Sequence, residues 1–136
     1  MDRPKPGVAL TISALIFAVA AAQSILKPFT TGPTAGFMFF GVRTDGALEA
    51  IVAPVHAALM LALAYSIWRL KRYALYFLLV YTPYVLLNLI LFSLRYEWPS
   101  PGDLPVAVVA AVYAFIALGI PGGTAYLLSR RRPELS

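Results

Sequence analysis

The sequence predicts an all-α integral membrane protein, a bundle of four transmembrane helices with both termini in the cytoplasm. Of its 136 residues, 60% are hydrophobic and only 12% are charged, which is half the charged share usual in a soluble domain, about 25%. The apolar residues form four continuous runs separated by short polar or proline-containing segments. A spanning helix needs about 20 mainly apolar residues, so we expect four spans and no separate soluble domain.

The four spans follow one another with short connections. The first extends from Gly7 to Leu26, and the other three cover about residues 48–68, 73–94 and 104–128. At 1.5 Å per residue, helices of about 20 to 25 residues match a hydrocarbon core of roughly 30 Å. The runs show no period-2 alternation and are twice the length of a barrel strand, which favours helices. We therefore treat residues 1–136 as a single four-helix transmembrane domain.

Basic residues are distributed unevenly between the two ends of the predicted bundle. Lys27, Arg43 and Arg95 fall on one side of the membrane. The other eight of the eleven fall on the side of the two termini: Arg3, Lys5, Arg69, Lys71, Arg72, Arg130, Arg131 and Arg132. The positive-inside rule places this larger group in the cytoplasm. Topology thus explains the net charge of +5, and nucleic acid is not an expected partner, since binding it requires a basic folded surface.

Small residues recur at every fourth position in three of the spans. The last span carries Gly119 and Gly123, and the other series are Ala14–Ala18–Ala22, Ala58–Ala62–Ser66 and Ala107–Ala111. This spacing lets helix backbones approach closely in lipid. We expect these faces to pack inside the bundle. The alternative for the glycine pair is a homodimer face.

An aromatic segment, Phe37 to Phe40, follows a Gly- and Pro-rich stretch in the connection between the first two spans. Such an apolar patch does not lie free in water. One interpretation is an anchor in the membrane interface, where aromatic side chains are enriched. The other is a lid over the mouth of the bundle or a surface that docks a partner.

Polar side chains inside the spans are the main chemical indication in the sequence. Glu49 and His56 are seven residues apart and share a helix face, as do Tyr84 and Asn88 in the third span. Counted from the span ends, these residues fall in the outer half of the membrane. The predicted polar cluster contains two candidate catalytic residues, His56 and Glu49, and four candidate ligand-binding residues, Gln23, Tyr84, Asn88 and Tyr113.

Two roles are open to this cluster. A histidine beside a glutamate can transfer protons, and with aromatic neighbours the pocket can hold the headgroup of a lipid or a quinone. Alternatively, the cluster only joins the helices, through hydrogen bonds worth about 0.6 kcal/mol each. One histidine and no cysteine do not supply the ligands of a usual transition-metal site. No sequence motif indicates a cofactor.

The connection between the second and third spans, within Tyr65 to Ala74, reads Trp-Arg-Leu-Lys-Arg-Tyr-Ala. It resembles the inner hairpin of small uncharacterised bacterial four-span membrane proteins. The resemblance implies the same topology and a location in the bacterial inner membrane. It implies no activity.

Two classes of function follow from these features. We expect a small non-enzymatic tetraspan protein that contacts membrane lipid and serves as an accessory or scaffold subunit of a membrane complex, or associates with itself as a homo-oligomer. The alternative is an isomerase-like enzyme or carrier with a lipid or quinone pocket that uses His56 and Glu49. A small exporter would need a polar path through the inner halves of the spans, which contain only Thr11, Ser13, Ser66 and Thr124.

Overall fold

The computed structural model describes residues 5–29, 37–44, 46–98 and 102–136. Its long helices are α1 (Val8–Leu26), α2 (Gly46–Trp68), α3 (Arg72–Arg95) and α4 (Val106–Arg130). All their ends lie within two residues of the predicted ends. Each helix is long and apolar enough to cross a membrane, which indicates a multi-pass membrane protein. The predicted features at residues 3, 30–36, 45 and 99–101 lie outside the described residues.

The outward faces of the helices are apolar. Val80, Leu94 and Phe115 are 73%, 78% and 80% exposed. A soluble protein rarely leaves large contiguous apolar surfaces in water. Hydrocarbon covers such faces without penalty, so the exposed surface agrees with the membrane assignment.

Hydroxyl groups within the helices are satisfied by their own helix. Ser13 donates to the Ala9 carbonyl at 3.0 Å, and Thr124 donates to the Ile120 carbonyl at 2.7 Å. Ser66 donates in the same way to the carbonyl of Ala62. A hydroxyl bonded in this way has used its proton and can only accept further hydrogen bonds. All three side chains are also buried, so they do not line an open polar path of the kind an exporter needs.

The helices are arranged as two pairs, α1 with α2 and α3 with α4. Although α2 and α3 are consecutive, they make only slight contact with each other, while α1 also touches α4. The predicted polar cluster, which joins His56 of the second span to Asn88 of the third, assumes that these two spans pack side by side. The two helices diverge instead, because α2 packs against α1 and α3 packs against α4.

The hydrophobic core lies at one end of the molecule, which we call the closed end. It combines the first half of α1, the second half of α2, the start of α3 and the last turns of α4. Ile67, Leu78 and Leu128 are completely buried there. At the opposite, open end, residues 106–120 of α4 contain no buried residue. The four helices therefore meet at the closed end, and toward the open end α4 leaves the core, whereas α1 and α2 stay in contact there through Ser24 and His56.

Residues after α4 return to the turn between α2 and α3. The Arg72 N–H donates to the Ser136 carbonyl at 2.9 Å, and the Ser136 N–H donates to the Leu70 carbonyl at 3.0 Å. Arg131 donates to the Lys5 carbonyl at 3.0 Å. The closed end thus collects basic residues from the N-terminal segment, the α2–α3 turn and the C-terminal segment.

A short β-hairpin, residues 37–44, lies at the open end. Its strands are β1 (Met38–Phe39) and β2 (Val42–Arg43), paired antiparallel with Met38 opposite Arg43. Phe40 and Gly41 form the turn with φ of 48° and 71°. Positive φ at both positions is what a two-residue type I′ turn requires. These strands were not predicted from the sequence.

The Gly119–Gly123 pair does not pack within the chain. A Cβ built at either glycine would have no atom within 4 Å outside its own helix backbone, among the described residues. The expectation that this pair packs inside the bundle is therefore wrong. The homodimer alternative is the one that remains open.

The small-residue series in α2 is also displaced from the contact face. Ala58 and Ala62 are exposed, although Ser66 of the same series is buried. The buried face follows Ala53, Ala57, Met60, Ala64 and Ile67. An α-helix has 3.6 residues per turn, so a strict four-residue series drifts around the helix. Alternating steps of three and four keep the residues on one face.

Candidate functional site

A groove with a cavity volume of about 320 Å³ lies between α2 and α3, with the β-hairpin over it. Ligand pockets are typically about 300–1,000 Å³, so this volume is at the low end of that range. The lining is mainly aromatic and aliphatic with a few polar groups: Phe37, Met38, Phe39, His56, Leu59, Phe77, Val80, Tyr81, Tyr84, Val85 and Asn88. Because α2 and α3 diverge toward the open end, the space between them is left for this groove.

His56 lies on the α2 wall of the groove, and a serine of α1 orients its ring through a hydrogen bond. Its Nδ1 is 2.8 Å from Ser24 Oγ, which is also 2.8 Å from the Ala20 carbonyl oxygen. A serine hydroxyl has one proton to donate, and a carbonyl can only accept. Both contacts are satisfied when Ser24 donates to Ala20 and His56 Nδ1–H donates to Ser24. In that arrangement the neutral imidazole carries its proton on Nδ1, and Nε2 keeps its lone pair.

Phe37 covers the histidine from the β-hairpin. The two ring centroids are 5.1 Å apart, and the Lys27 ammonium lies 4.3 Å from the Phe37 centroid. Lys27 is close enough to interact electrostatically with Glu49 and with His56. Neither Lys27 nor Glu49 is among the groove-lining residues. Lys27, which interacts with His56, and Glu49, which interacts with Lys27, are thus both outside the groove lining.

Asn88 fastens the β-hairpin to α3. Its Oδ1 accepts from the Gly41 N–H at 2.6 Å, and its Nδ2 donates to the Met38 carbonyl at 2.8 Å. Arg95 adds a bond from Nη1 to the Phe40 carbonyl at 3.2 Å. The carboxamide of Asn88 therefore holds the roof of the groove.

Tyr84 supports the same roof with its ring. Its ring meets the Phe40 ring edge to face, with centroids 5.5 Å apart. The Tyr84 hydroxyl is buried near the Phe40 backbone, but it has no hydrogen bond of good geometry among the described residues. The phenol thus retains a proton that it can donate.

The predicted polar cluster divides in the structure. His56, Tyr84 and Asn88 line one groove. Glu49 is buried, and its Oε1 has no hydrogen-bond partner among the described residues. Gln23 is exposed on α1. Tyr113 lies on α4, where its ring is 5.4 Å from that of Trp98, and its phenol is near that of Tyr81.

No site role was predicted for Ser24 or Tyr81, and Phe37 was considered only as part of an anchor, lid or docking segment. Ser24 continues the buried face of α1, which runs through Leu10, Ala14, Phe17 and Ala21. Steps of three and four residues along that face would have selected Ser24 instead of its neighbour at position 23. The packing of Phe37 on His56 depends on the β-hairpin, and no local sequence pattern predicts this contact.

Comparison with known proteins finds no match to this chain among protein-family models, curated proteins or solved structures. Among the described residues, no three His, Asp or Glu side chains lie together as a metal site would need. Function is therefore inferred from the groove itself.

Proposed function

We propose that this protein is a non-enzymatic multi-pass membrane protein that holds one amphiphilic molecule, a lipid or a quinone, in the groove between α2 and α3. The observation that carries the proposal is the groove, with Phe77 and Val80 on the side of the closed end and His56 toward the open end. An amphiphile requires this combination of apolar walls and a few polar groups. Both helices are long and apolar enough to lie in a membrane, where such molecules are concentrated.

The bonding of the polar residues supports binding over catalysis. The Asn88 carboxamide is engaged by the β-hairpin, and the Ser24 proton is directed at the Ala20 carbonyl instead of at a base. An isomerase that moves a proton needs an acid and a base on its substrate. The described groove-lining residues include one histidine and no Asp, Glu or Lys. This makes a carrier or holder a better fit than an isomerase-like enzyme.

Filling the groove is expected to remove the bound molecule. Leu59 lines the groove, so Leu59→Trp would occupy the space between α2 and α3. We expect native mass spectrometry of the purified protein to show retention of co-purifying lipid or quinone reduced by about tenfold, a difference of about 1.4 kcal/mol in binding. Leu61→Trp is the matched control, because Leu61 is on the same helix, is exposed and does not line the groove. Equal retention in both variants and the wild type would contradict the proposal.

The proposed location is the bacterial inner membrane, with both termini in the cytoplasm. The support is the collection of Lys5, Arg72 and Arg131 at the closed end, since basic residues remain on the cytoplasmic side. Reporter fusions after Arg72 and Ser136 are expected to read cytoplasmic, and one after Asp103 periplasmic. A periplasmic signal at Ser136 would refute this orientation.

Association through α4 is a second candidate function, which would make the protein an accessory subunit or a homo-oligomer. The observation that favours it is the face carrying Gly119 and Gly123, which has no side chain of the described chain against it. Small residues at this spacing allow a second helix to approach closely in lipid.

Substitutions in α4 test this association separately from folding. Gly119→Leu and Gly123→Leu are expected to leave the melting temperature unchanged and to shift gel filtration in detergent toward the monomer. Gly122→Leu is the control on the face of α4 that meets α3, because a Cβ there lies in ordinary contact with Thr82 Cγ2, at 3.6 Å. We expect that variant to shift the melting temperature and to leave the elution unchanged. Unchanged elution of both other variants would mean that only lipid covers this face.

A further inference from the structure

We infer that the molecule held in the groove is a neutral amphiphile with a hydroxyl in its headgroup, which donates a hydrogen bond to Nε2 of His56. This inference rests on the proposed function and specifies its ligand. Two sources share the required chemistry, a diacylglycerol-like lipid and a reduced quinone, or quinol.

The first step is the state of the imidazole. Ser24 accepts the Nδ1 proton of His56 because its own proton goes to the Ala20 carbonyl. Nε2 is then an acceptor, on the part of a groove-lining ring that Ser24 does not engage. Within the described residues, Ser24 is the hydrogen-bond partner of this ring. An acceptor left without a donor in an apolar groove is unfavourable, so the ligand that fits best brings a donor.

The second step concerns charge. Among the described residues that line the groove, none is Lys or Arg. Lys27, a cation that interacts with His56, lies over the Phe37 ring outside the groove lining and also interacts with Glu49. A phosphate headgroup placed in the groove would lose its water without gaining a lysine or arginine partner there, which is costly. A neutral headgroup avoids this penalty.

The third step selects a hydroxyl among neutral groups. His56 on the α2 wall offers a lone pair, whereas the Tyr84 hydroxyl on the α3 wall is buried beside the Phe40 backbone and is not open to the groove. A hydroxyl both donates and accepts, whereas an ester or quinone carbonyl only accepts. A hydroxyl therefore supplies the donor that His56 lacks, and a carbonyl leaves His56 without a partner.

The test compares probes that differ only in the donor. The purified protein is incubated with dioleoylglycerol or with the same lipid capped as its 3-O-methyl ether, and retention is measured by native mass spectrometry. We expect dioleoylglycerol to be retained about tenfold better, as sites that bond a hydroxyl reject analogues without one. A decyl-benzoquinol and its quinone form the second arm, kept under anaerobic conditions. Retention of dioleoylglycerol identifies a lipid as the source, and retention of the quinol identifies a quinone. Dioleoyl phosphatidic acid serves as the anionic probe.

Two variants test whether the preference for a hydroxyl depends on His56. His56→Leu is expected to retain the hydroxyl probe and its capped or oxidised form equally. Ser24→Ala removes the acceptor that fixes the imidazole proton on Nδ1, and it is expected to reduce the preference by about threefold while the protein still folds. It therefore provides a second readout if His56→Leu is unstable.

The outcomes separate the inference from the proposed function. If the wild type retains capped and uncapped probes equally, or prefers phosphatidic acid, the hydroxyl inference is overturned, and the proposed function stands as long as Leu59→Trp loses the probes. If Leu59→Trp retains every probe as well as the wild type does, the proposed function itself fails.

Discussion

Gly41→Ala is expected to detach the β-hairpin from α3 and to lower the stability of the fold by about 3 kcal/mol. The φ angle of Gly41 is +71°, and a Cβ there would lie 2.5 Å from Leu91 Cβ and 2.6 Å from the Leu91 carbonyl carbon. A left-handed conformation costs an L-residue about 1–2 kcal/mol, and forcing atoms into a packed contact adds about 1–3 kcal/mol. Since one colliding atom belongs to the α3 backbone, the hairpin has to move away.

A matched glycine separates the two contributions. Gly46 also has a positive φ, +56°, but a Cβ there meets nothing within 4 Å among the described residues. Gly46→Ala is therefore expected to cost only the conformational part, about 1 kcal/mol. Thermal melting measures both variants, and hydrogen exchange of residues 37–44 shows whether the hairpin has detached. An equal loss of stability in the two variants would contradict the close packing of Gly41 against α3.

Asn88→Ala is expected to destabilise the protein by about 2 kcal/mol and to loosen the roof of the groove. The substitution leaves the Gly41 N–H and the Met38 carbonyl without their partner, and each unsatisfied buried group costs about 1–3 kcal/mol when water cannot replace the bond. Faster hydrogen exchange across residues 37–44 and reduced ligand retention are the measured consequences. Leu87→Ala, at an exposed position of the same helix, is expected to change neither. Hydrogen exchange as slow as in the wild type would argue against the clamp.

The two substitutions act on one contact and should therefore be coupled. Once Gly41→Ala has moved the hairpin away, Asn88 has no bonds left to lose. The double variant is expected to be destabilised by about 1 kcal/mol less than the sum of the single variants, as residues in one network show. Strict additivity would mean that Gly41 and Asn88 stabilise separate parts of the structure.

The helices were predictable because their signal is local. Apolar runs of spanning length define α1 to α4 without reference to neighbouring helices. Helical periodicity likewise predicts that Tyr84 and Asn88 share one face of α3, and both line the groove. Local sequence patterns therefore predicted the fold class and the residues of one wall of the groove.

The remaining features depend on which face meets which neighbour. Gln23 and Ser24 are adjacent polar residues, and only the packing of α1 on α2 turns Ser24 toward His56. The spacing of Gly119 and Gly123 allows another helix to approach closely, but it does not specify which helix does so. The docking of the β-hairpin on α3 depends on a bond from Asn88 to Gly41, residues 47 positions apart. Such contacts arise from tertiary structure, and periodicity does not encode them.

The β-hairpin belongs to the first helical pair by sequence and to the second by contact, which imposes an order on assembly. The bonds that fasten it to α3 join residues 47, 50 and 55 positions apart. Contacts between consecutive paired helices close shorter loops and form earlier, since loop-closure entropy delays distant pairings. Contacts beside the short connections of each helical pair thus form before the hairpin reaches α3, and the bond from Arg131 to Lys5, 126 positions apart, closes a longer loop still. Until the hairpin docks, the space between α2 and α3 is a cleft without its roof, and an amphiphile can enter it before the protein has finished folding.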